Sequence, residues 1–307
     1  MSDAVAVTGA TGFIGGRLIE RLSRAGIPVR ALHRGTRDLP ILPHVHWVKG
    51  SLEQPDSLDN LLAGVDAVVH CAGSVRGTRE RQFARVNVEG VHDLVLACGH
   101  CAAAPRLLHI STLAATAPHV SAYAATKRAG EAVVEASEGL RWTIFRPPAV
   151  YGPGDRELVG LFRAMARGLG PYPGSLDSRV SMIHVDDLVG AIVAWLQHGD
   201  AEGRLFELDD GRRGGYTWLE ILETMERVTG RHLLRIRIPK SLMMAVGYVN
   251  LSVATLVGGA PMLTPGKVRE LFRSAWVADA REIEEALVWH PQVSLEDGLR
   301  ELLETFA

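Results

Sequence analysis

The sequence has little of what marks secreted, nucleic-acid-binding or low-complexity proteins. Its 307 residues include only 3 cysteines, and 6% of the residues are aromatic. The formal net charge is −2 at pH 7, so no basic footprint for nucleic acid is present. The odd, small number of cysteines and the lack of a recognisable signal peptide predict a cytoplasmic protein. No internal repeat is visible, and the length allows a large buried core.

Residues 5–16 combine a short strand pattern, a glycine-rich turn and the start of a helix pattern. The glycines follow a G-x-x-G-x-x-G spacing. Such glycines permit a tight turn and a close approach of phosphates, and the following helix start directs N–H groups at one point. The stretch therefore predicts a dinucleotide site. Its candidate residues are Gly9, Thr11, Gly12, Phe13, Ile14 and Gly15.

Strand patterns alternate with helix patterns over the first half of the chain. The strands are predicted at residues 29–34, 45–50, 67–73, 107–110 and 142–146, and the helices at 57–62, 83–101 and 121–137. This alternation predicts an α/β fold with a doubly wound parallel sheet of Rossmann type. We expect a dinucleotide-binding domain at 1–150. Residues 151–307 are expected to form mainly a smaller C-terminal substrate-binding lobe, with some segments returning to the sheet.

The end of the second strand bears on the choice of cofactor. NAD-preferring sites usually have an acidic residue there, but this chain has His33, Arg34 and Arg37 and no acid before Asp38. Arg34 is predicted to neutralise a 2′-phosphate, which favours NADP and leaves NAD as the alternative. Later strand ends add further candidate cofactor contacts at Ser51, Leu52, Ala72 and Gly73.

Tyr123 and Lys127 stand four apart in a helix pattern, which places them on one face. A neighbouring ammonium is expected to lower the pKa of a tyrosine. Ser111 and Thr112 end the adjacent strand, at the edge where ligands bind in such sheets. These residues predict proton transfer by Tyr123 to or from a substrate oxygen while hydride moves to or from nicotinamide.

The chain resembles the extended short-chain dehydrogenase/reductase superfamily, which includes nucleotide-sugar epimerases and 3β-hydroxysteroid dehydrogenases. The resemblance rests on the Tyr123–Lys127 pair and on T-G-A-T-G-F-I-G at 8–15, V-H-C-A-G at 69–73, N-V-E-G at 87–90, S-T at 111–112, R-P-P-A-V-Y-G-P-G at 146–154 and H-V-D-D-L at 184–188.

The resemblance implies a role for each matching site residue. Tyr123 would be the acid/base, Lys127 would bind ribose and tune Tyr123, and Asn87 would support the site. Ser111 or Thr112 would position the substrate, and the short interval to Tyr123 favours Ser111. Pro147, Pro148 and Val150 would lie near the nicotinamide. The resemblance also implies a homodimer, because the helices predicted at 83–101 and 121–137 form a dimer interface in relatives.

Residues 241–266 contain no charged residue and are rich in Leu, Met, Val and Ala. A membrane span is disfavoured because Asn250 and Pro261 interrupt the stretch. We expect buried helices at an apolar substrate mouth, a peripheral membrane contact or a plain packed helix pair. Arg156, Arg163, Arg167 and Arg179 are the candidates for holding the diphosphate of a sugar nucleotide.

No metal site is predicted. Cys98-x-x-Cys101 falls near a helix end, which suits neither a redox dithiol nor zinc. His184 stands before Asp186 and Asp187, where we expect one of the two aspartates to cap a helix.

The main hypothesis is an NAD(P)(H)-dependent oxidoreductase that interconverts a secondary alcohol and a ketone on a fairly hydrophobic, steroid- or lipid-like molecule. One alternative is a nucleotide-sugar epimerase or dehydratase with bound NAD. The other is a non-catalytic cofactor-sensing protein.

Overall fold

The computed structural model describes residues 4–35, 38–198 and 201–306, so Arg37 lies outside the described residues. The strands are β1 (Val5–Thr8), β2 (Val29–His33), β3 (Val45–Lys49), β4 (Ala67–His70), β5 (Arg106–Ile110), β6 (Trp142–Arg146), β7 (Ala149–Tyr151), β8 (Leu169–Pro173), β9 (Arg179–Val180), β10 (Met182–His184), β11 (Arg204–Glu207), β12 (Tyr216–Thr217), β13 (Leu234–Ile238) and β14 (Ala275–Trp276). The α-helices are α1 (Phe13–Arg24), α2 (Pro55–Leu62), α3 (Glu80–Ala84), α4 (Gly90–His100), α5 (Ala122–Glu135), α6 (Val159–Ala166), α7 (Val185–Gln197), α8 (Trp218–Thr229), α9 (Lys240–Val257), α10 (Pro265–Leu271), α11 (Arg281–Leu287) and α12 (Leu295–Glu304).

The main sheet has seven parallel strands in the order β11-β6-β5-β4-β1-β2-β3. Its central strands β1 and β4 are buried along their whole length, as expected for a parallel sheet covered on both faces. The strand order reverses between β1 and β4, which is where such sheets bind ligands. The predicted doubly wound fold is confirmed.

Helices cover both faces of the sheet because each presents an apolar stripe. On one face Leu18 of α1 and Ile192 of α7 share a core with Val7 of β1. On the other face Leu94 of α4 and Val134 of α5 belong to the second core. The site is therefore carried by strand ends and helix starts fixed from both sides.

The helix predicted at 83–101 is interrupted. A π-helical turn over Arg85–Glu89 separates α3 from α4. Helix α5 lies against this turn, since a Cβ on Gly130 would come within 2.1 Å of the Asn87 carbonyl oxygen. Such turns are frequent at functional sites, and this one places Asn87.

The C-terminal part forms three small sheets, β10-β7, β12-β9-β14 and β13-β8, with β11 returning to the main sheet. Its own core surrounds Tyr151, Phe162 and Leu299. Of the three alternatives for 241–266, a plain packed helix pair does not describe α9, because this helix is exposed over most of its length. The cap of α7 is also different: His184 is the N-cap, and Asp186 and Asp187 lie in the first turn.

Candidate active site

The glycine turn between β1 and α1 depends on close backbone contacts. Gly9 has φ of 68°, and a Cβ there would lie 2.6 Å from the Ala72 nitrogen. A Cβ on Gly15 would lie 2.3 Å from the Gly9 carbonyl oxygen. Gly12 is the N-cap of α1, whose first turn contains no acidic residue. The positive end of the helix therefore meets no carboxylate from its own first turn, and the cradle fits a pyrophosphate.

Arg34 lies exposed directly after β2. Its neighbour His33 is engaged in the turn, because its Nδ1 accepts a hydrogen bond from the Gly35 N–H at 3.0 Å. The hydrogen bond with Arg85 lowers the pKa of Glu53, and the charge of Arg34 contributes to this lowering. Sequence reasoning missed Glu53, which reaches this corner from the loop after β3.

The loop after β3 serves mainly as support. The Ser51 N–H donates to the Ser57 hydroxyl at 3.2 Å, and the same hydroxyl donates to the Ser51 carbonyl at 2.7 Å. Leu52 is buried against α4, where a Cβ on Gly90 would lie 2.8 Å from its Cδ1. Its side chain therefore belongs to the core.

Asn87 ties the loop after β4 to α5. Its Oδ1 accepts from the Ser74 N–H at 2.8 Å, and its Nδ2 donates to the Ser74 carbonyl and the Thr126 hydroxyl, each at 3.1 Å. Its oxygen would lie 3.5 Å from a Cβ on Gly73. Asn87 is buried, so its hydrogen bonds hold the loop after β4 in a fixed position against α5.

Lys127 is 3% exposed. Its Nζ donates to the carbonyl oxygen of Ile110, at the end of β5, at 2.8 Å. Burial lowers the pKa of Lys127 to about 8, although Glu131 acts in the opposite direction. The amine is thus held beneath the junction of the strand end and the cofactor loop.

Tyr123 and Thr112 meet in the cavity above this amine. Burial raises the pKa of Tyr123, while the hydrogen bond from Thr112 opposes this rise and the charges of Glu270 and Glu157 add to it. The prediction that a neighbouring ammonium lowers the pKa of Tyr123 is therefore wrong. Burial dominates, and Lys127 directs its amine to a backbone carbonyl instead.

Ser111 belongs to a buried charged network. Its hydroxyl donates to Glu131, whose carboxylate also receives two hydrogen bonds from Arg146, at 2.8 and 2.6 Å. Arg128 lies at 3.4 Å from the same carboxylate, with its own side chain 38% exposed. Thr112 is therefore the hydroxyl that hydrogen-bonds Tyr123, whereas Ser111, which also lines the cavity, is held by Glu131.

The C-terminal part holds the start of α5, the helix that carries Tyr123. Ser121 caps α5 by accepting from the Ala124 N–H at 3.0 Å, and its hydroxyl donates to the buried carboxylate of Glu270 on α10. Arg269 donates to the Val120 carbonyl at 2.8 Å. These contacts were not visible in the sequence because their partners are 149 positions apart.

His70 and His109 form a stacked pair with ring centroids 5.3 Å apart, both fully buried in the sheet. Burial lowers the pKa of His70 to about 3 and that of His109 well below its usual range, and the charge of Lys127 contributes to both shifts. The pair is therefore neutral, and Lys127 is the cation of this region.

The cavity has a volume of about 680 Å³ and joins the cofactor cradle to the C-terminal part. Phe13 and Ile14 line it at the start of α1, and Pro147, Pro148 and Val150 line it after β6. Most of the remaining wall area is apolar and includes Leu158, Leu161, Phe162, Ile221, Tyr248, Leu251 and Met262. The lining also contains the charged residues Arg79, Glu80, Asp155, Glu157, Arg179, Lys267, Arg269, Glu270 and Arg273.

Of the four arginines considered for a diphosphate, Arg179 lines this cavity. Its guanidinium donates to the carbonyl oxygens of Gly214 and Gly215. Arg156 and Arg163 line a second, smaller depression. The arrangement does not gather these four cations around one ligand.

His184, Asp186 and Glu301 place potential ligand atoms within 4.8 Å of one another. Both Asp186 oxygens accept hydrogen bonds from Arg17, at 2.5 and 2.7 Å. A cation would compete there with a guanidinium, so the cluster acts as a charged link between α1, α7 and α12.

A model of the NAD dependent epimerase/dehydratase family matches residues 5–208. The chain is 38% identical over 288 residues to a ceramide reductase of Caulobacter vibrioides, covering 92% of this chain and 88% of the relative. It is 24% identical to the decarboxylating sterol-4-alpha-carboxylate 3-dehydrogenase of Saccharomyces cerevisiae, covering 98% and 97%. The solved structure of UDP-glucuronic acid 4-epimerase from Bacillus cereus, with UDP-glucuronic acid and NAD, has a TM-score of 0.77 at 20% identity, covering 98% of this chain and 99% of that one. This last likeness concerns the fold.

The Glu131–Arg146 pair yields a stability prediction. Arg146→Met leaves the buried Glu131 carboxylate without its main partner, so we expect a loss of about 3–5 kcal/mol in the free energy of unfolding. Denaturant titration of the purified protein measures it. The double variant Arg146→Met/Glu131→Met should recover a large part of the loss, because no buried charge remains unpaired.

Arg128→Met is the matched control. It removes a partly exposed partner of the same carboxylate, and we expect a loss below about 1 kcal/mol. Equal losses for the two arginine variants would show that Glu131 does not depend on the buried guanidinium.

Proposed function

Because the chain belongs to the NAD-dependent epimerase/dehydratase family, and with it to the extended short-chain dehydrogenases/reductases, we propose that it is an NADPH-dependent reductase of an apolar, lipid-like ketone. The family uses a nicotinamide cofactor. The preference for NADPH, the direction of the reaction and the substrate class are our proposals.

The observation that carries the proposal is the cavity itself. It runs from the glycine cradle to mainly apolar walls, and Tyr123 and Thr112 lie on its surface. Apolar walls with a few converging polar groups are typical of sites for apolar small molecules. The ceramide reductase and the sterol dehydrogenase carry lipids in their names, which agrees with these walls.

Tyr123 is the general acid. Its raised pKa keeps the phenol protonated at neutral pH, which suits donation to a carbonyl oxygen and hence reduction. Thr112 hydrogen-bonds the same oxygen and positions it. Reduced nicotinamide, when bound, supplies the hydride. The ketone becomes a secondary alcohol with hydrogen added at carbon and at oxygen, and the Tyr123 phenolate regains its proton from solvent.

Lys127 supports the proton transfer through its charge. Its pKa of about 8 leaves most of its population charged at neutral pH, so it favours the phenolate that forms when Tyr123 gives up its proton. The same amine holds ribose hydroxyls. Asn87 is a positioning residue, since its amide is used in contacts between the loop after β4 and α5.

The substrate we favour is the ketone that corresponds to the secondary alcohol of a ceramide-type lipid. The 38% identity to the ceramide reductase extends over 92% of the chain. A sterol ketone is the second candidate, supported by the relative from Saccharomyces cerevisiae.

The three hydroxyls of the site should respond differently to substitution. Tyr123→Phe removes the proton donor, and we expect loss of turnover by a factor of roughly 10²–10⁴ with NADPH binding nearly unchanged. Thr112→Val should lower kcat by about tenfold or more, because the carbonyl oxygen loses a hydrogen bond. NADPH oxidation with a keto-lipid in detergent measures turnover, and cofactor titration measures binding.

Ser111→Ala is the matched control, since Ser111 donates to Glu131 rather than to Tyr123. We expect this variant to lower the free energy of unfolding and to leave kcat nearly unchanged. A larger kcat loss for Ser111→Ala than for Thr112→Val would return the positioning role to Ser111. Faster NADPH turnover with a nucleotide sugar than with keto-lipids would contradict the substrate class.

Arg34→Ala should weaken NADPH binding by roughly 10–100-fold and leave NADH binding nearly unchanged, because a charge-assisted contact to the 2′-phosphate is lost. Titration of both cofactors into both proteins measures this. Arg30→Ala is the control, because Arg30 lies on β2 and donates to backbone carbonyls of α2. Equal weakening of both cofactors in Arg34→Ala would rule out the 2′-phosphate role.

A further inference from the structure

Helix α9 is an apolar surface element. Among the helices of the described ranges, it is the one that is long and apolar enough to cross a membrane by length and composition. Only 6% of its residues are buried, and it carries no charge after Lys240. A helix that is apolar on all sides requires an apolar environment on its free face.

The inner face of α9 is attached to the protein. A Cβ on Gly247 would lie 3.1 Å from the backbone of Thr264 and Pro265, so the helix packs directly on the start of α10. Asn250 donates to the Leu263 carbonyl at 3.4 Å. Tyr248 and Leu251 line the cavity, which makes α9 one wall of its opening.

The outer face carries a continuous stripe. Its members recur every three or four residues and are between 41% and 85% exposed. The stripe consists of Leu242, Val246, Val249, Val253 and Leu256. Leu234 and Ile236 of β13, which precedes α9 in the chain, are also exposed. A patch of this length on one side of a protein marks an interaction surface.

The charge around the stripe has one sign. Between Arg227 and Arg269 the chain has seven Lys or Arg residues and no Asp or Glu, although its overall net charge is −2. Arg231, Arg237 and Lys240 are exposed, and they have no ion-pair partner among the residues that the structure describes. Lys240 is the first residue of α9, and Arg237 precedes it by three positions, so exposed cations stand at the N-terminal end of the helix that carries the stripe.

We propose that the outer stripe of α9, with these flanking cations, docks onto an anionic lipid bilayer and lies in its interface. Apolar residues then enter the acyl boundary, while Lys and Arg meet the lipid headgroups. A second copy of the chain fits less well, because it would bring the same cations against themselves. A span is disfavoured, because Gly247 and Asn250 are engaged with the protein and 18 residues reach only about 27 Å.

Docking would place the cavity opening against the lipid. Since α9 forms one wall of the opening, a lipid could pass from the bilayer into the cavity without crossing water. This consequence rests on the proposed function, whereas the docking itself does not.

The experiment is co-sedimentation of the full chain with vesicles of phosphatidylcholine alone or of phosphatidylcholine with phosphatidylglycerol. We expect binding to the anionic vesicles that weakens with salt. Val249→Glu/Val253→Glu should reduce vesicle affinity by at least roughly tenfold, because two charges would enter the acyl boundary. Arg237→Glu/Lys240→Glu should reduce it by roughly tenfold or more through charge reversal.

Matched controls place the same changes elsewhere. Ile41→Glu alters a fully exposed apolar residue outside the patch, and Arg24→Glu reverses an exposed charge on α1; neither should change vesicle binding. Circular dichroism spectra and melting temperatures close to the wild type show that the α9 variants fold.

Absence of binding to anionic vesicles, equal binding to neutral ones, or loss of binding in the controls to the same degree would overturn the proposal. So would a dimer in sedimentation that the Val249/Val253 variant dissociates. Turnover of keto-lipid in detergent is measured in parallel. Failed docking with intact turnover overturns the docking alone, and docking without turnover overturns the proposed function alone.

Discussion

The buried carboxylate of Glu131 is the point on which the arrangement of the site depends. It lies on α5, one turn after Lys127 and two turns after Tyr123. It receives hydrogen bonds from Ser111, directly after β5, and from Arg146, the last residue of β6. A buried charge tolerates little displacement of its partners. This pairing therefore fixes both the rotation and the height of α5 relative to the strand ends.

Around that anchor, burial sets the protonation of each group. The phenol of Tyr123 is held protonated, and the pKa of Lys127 falls to about 8. The stacked histidines stay neutral, and the charge of Lys127 contributes to the lowering of both pKa values. A protonated phenol that lines the cavity can donate its proton. This supports the proposed reduction over oxidation.

The sequence predicted those features that depend on residues close together in the chain. The buried strands, the glycine turn and the Tyr123–Lys127 spacing all follow from short-range periodicity and backbone geometry, and the family they indicated is confirmed. The choice between Ser111 and Thr112 could not be read this way, because it depends on a carboxylate 20 positions away. The clamp of α10 on Ser121 joins residues 149 apart. The sequence showed that 241–266 carries no charge, but it could not show that helix α9 is exposed. The hydrophobic pattern of an apolar helix is the same whether the helix is buried or exposed.

The central claim is that hydride passes directly to the carbon of a lipid ketone whose oxygen lies at Tyr123. Mass spectrometry of the alcohol formed with NADPH carrying deuterium on one or the other face of nicotinamide carbon 4 tests it most directly. We expect one of the two labelled cofactors to transfer a single deuterium to the carbinol carbon, with the hydroxyl hydrogen coming from water. An alcohol that contains no deuterium from either cofactor would contradict it.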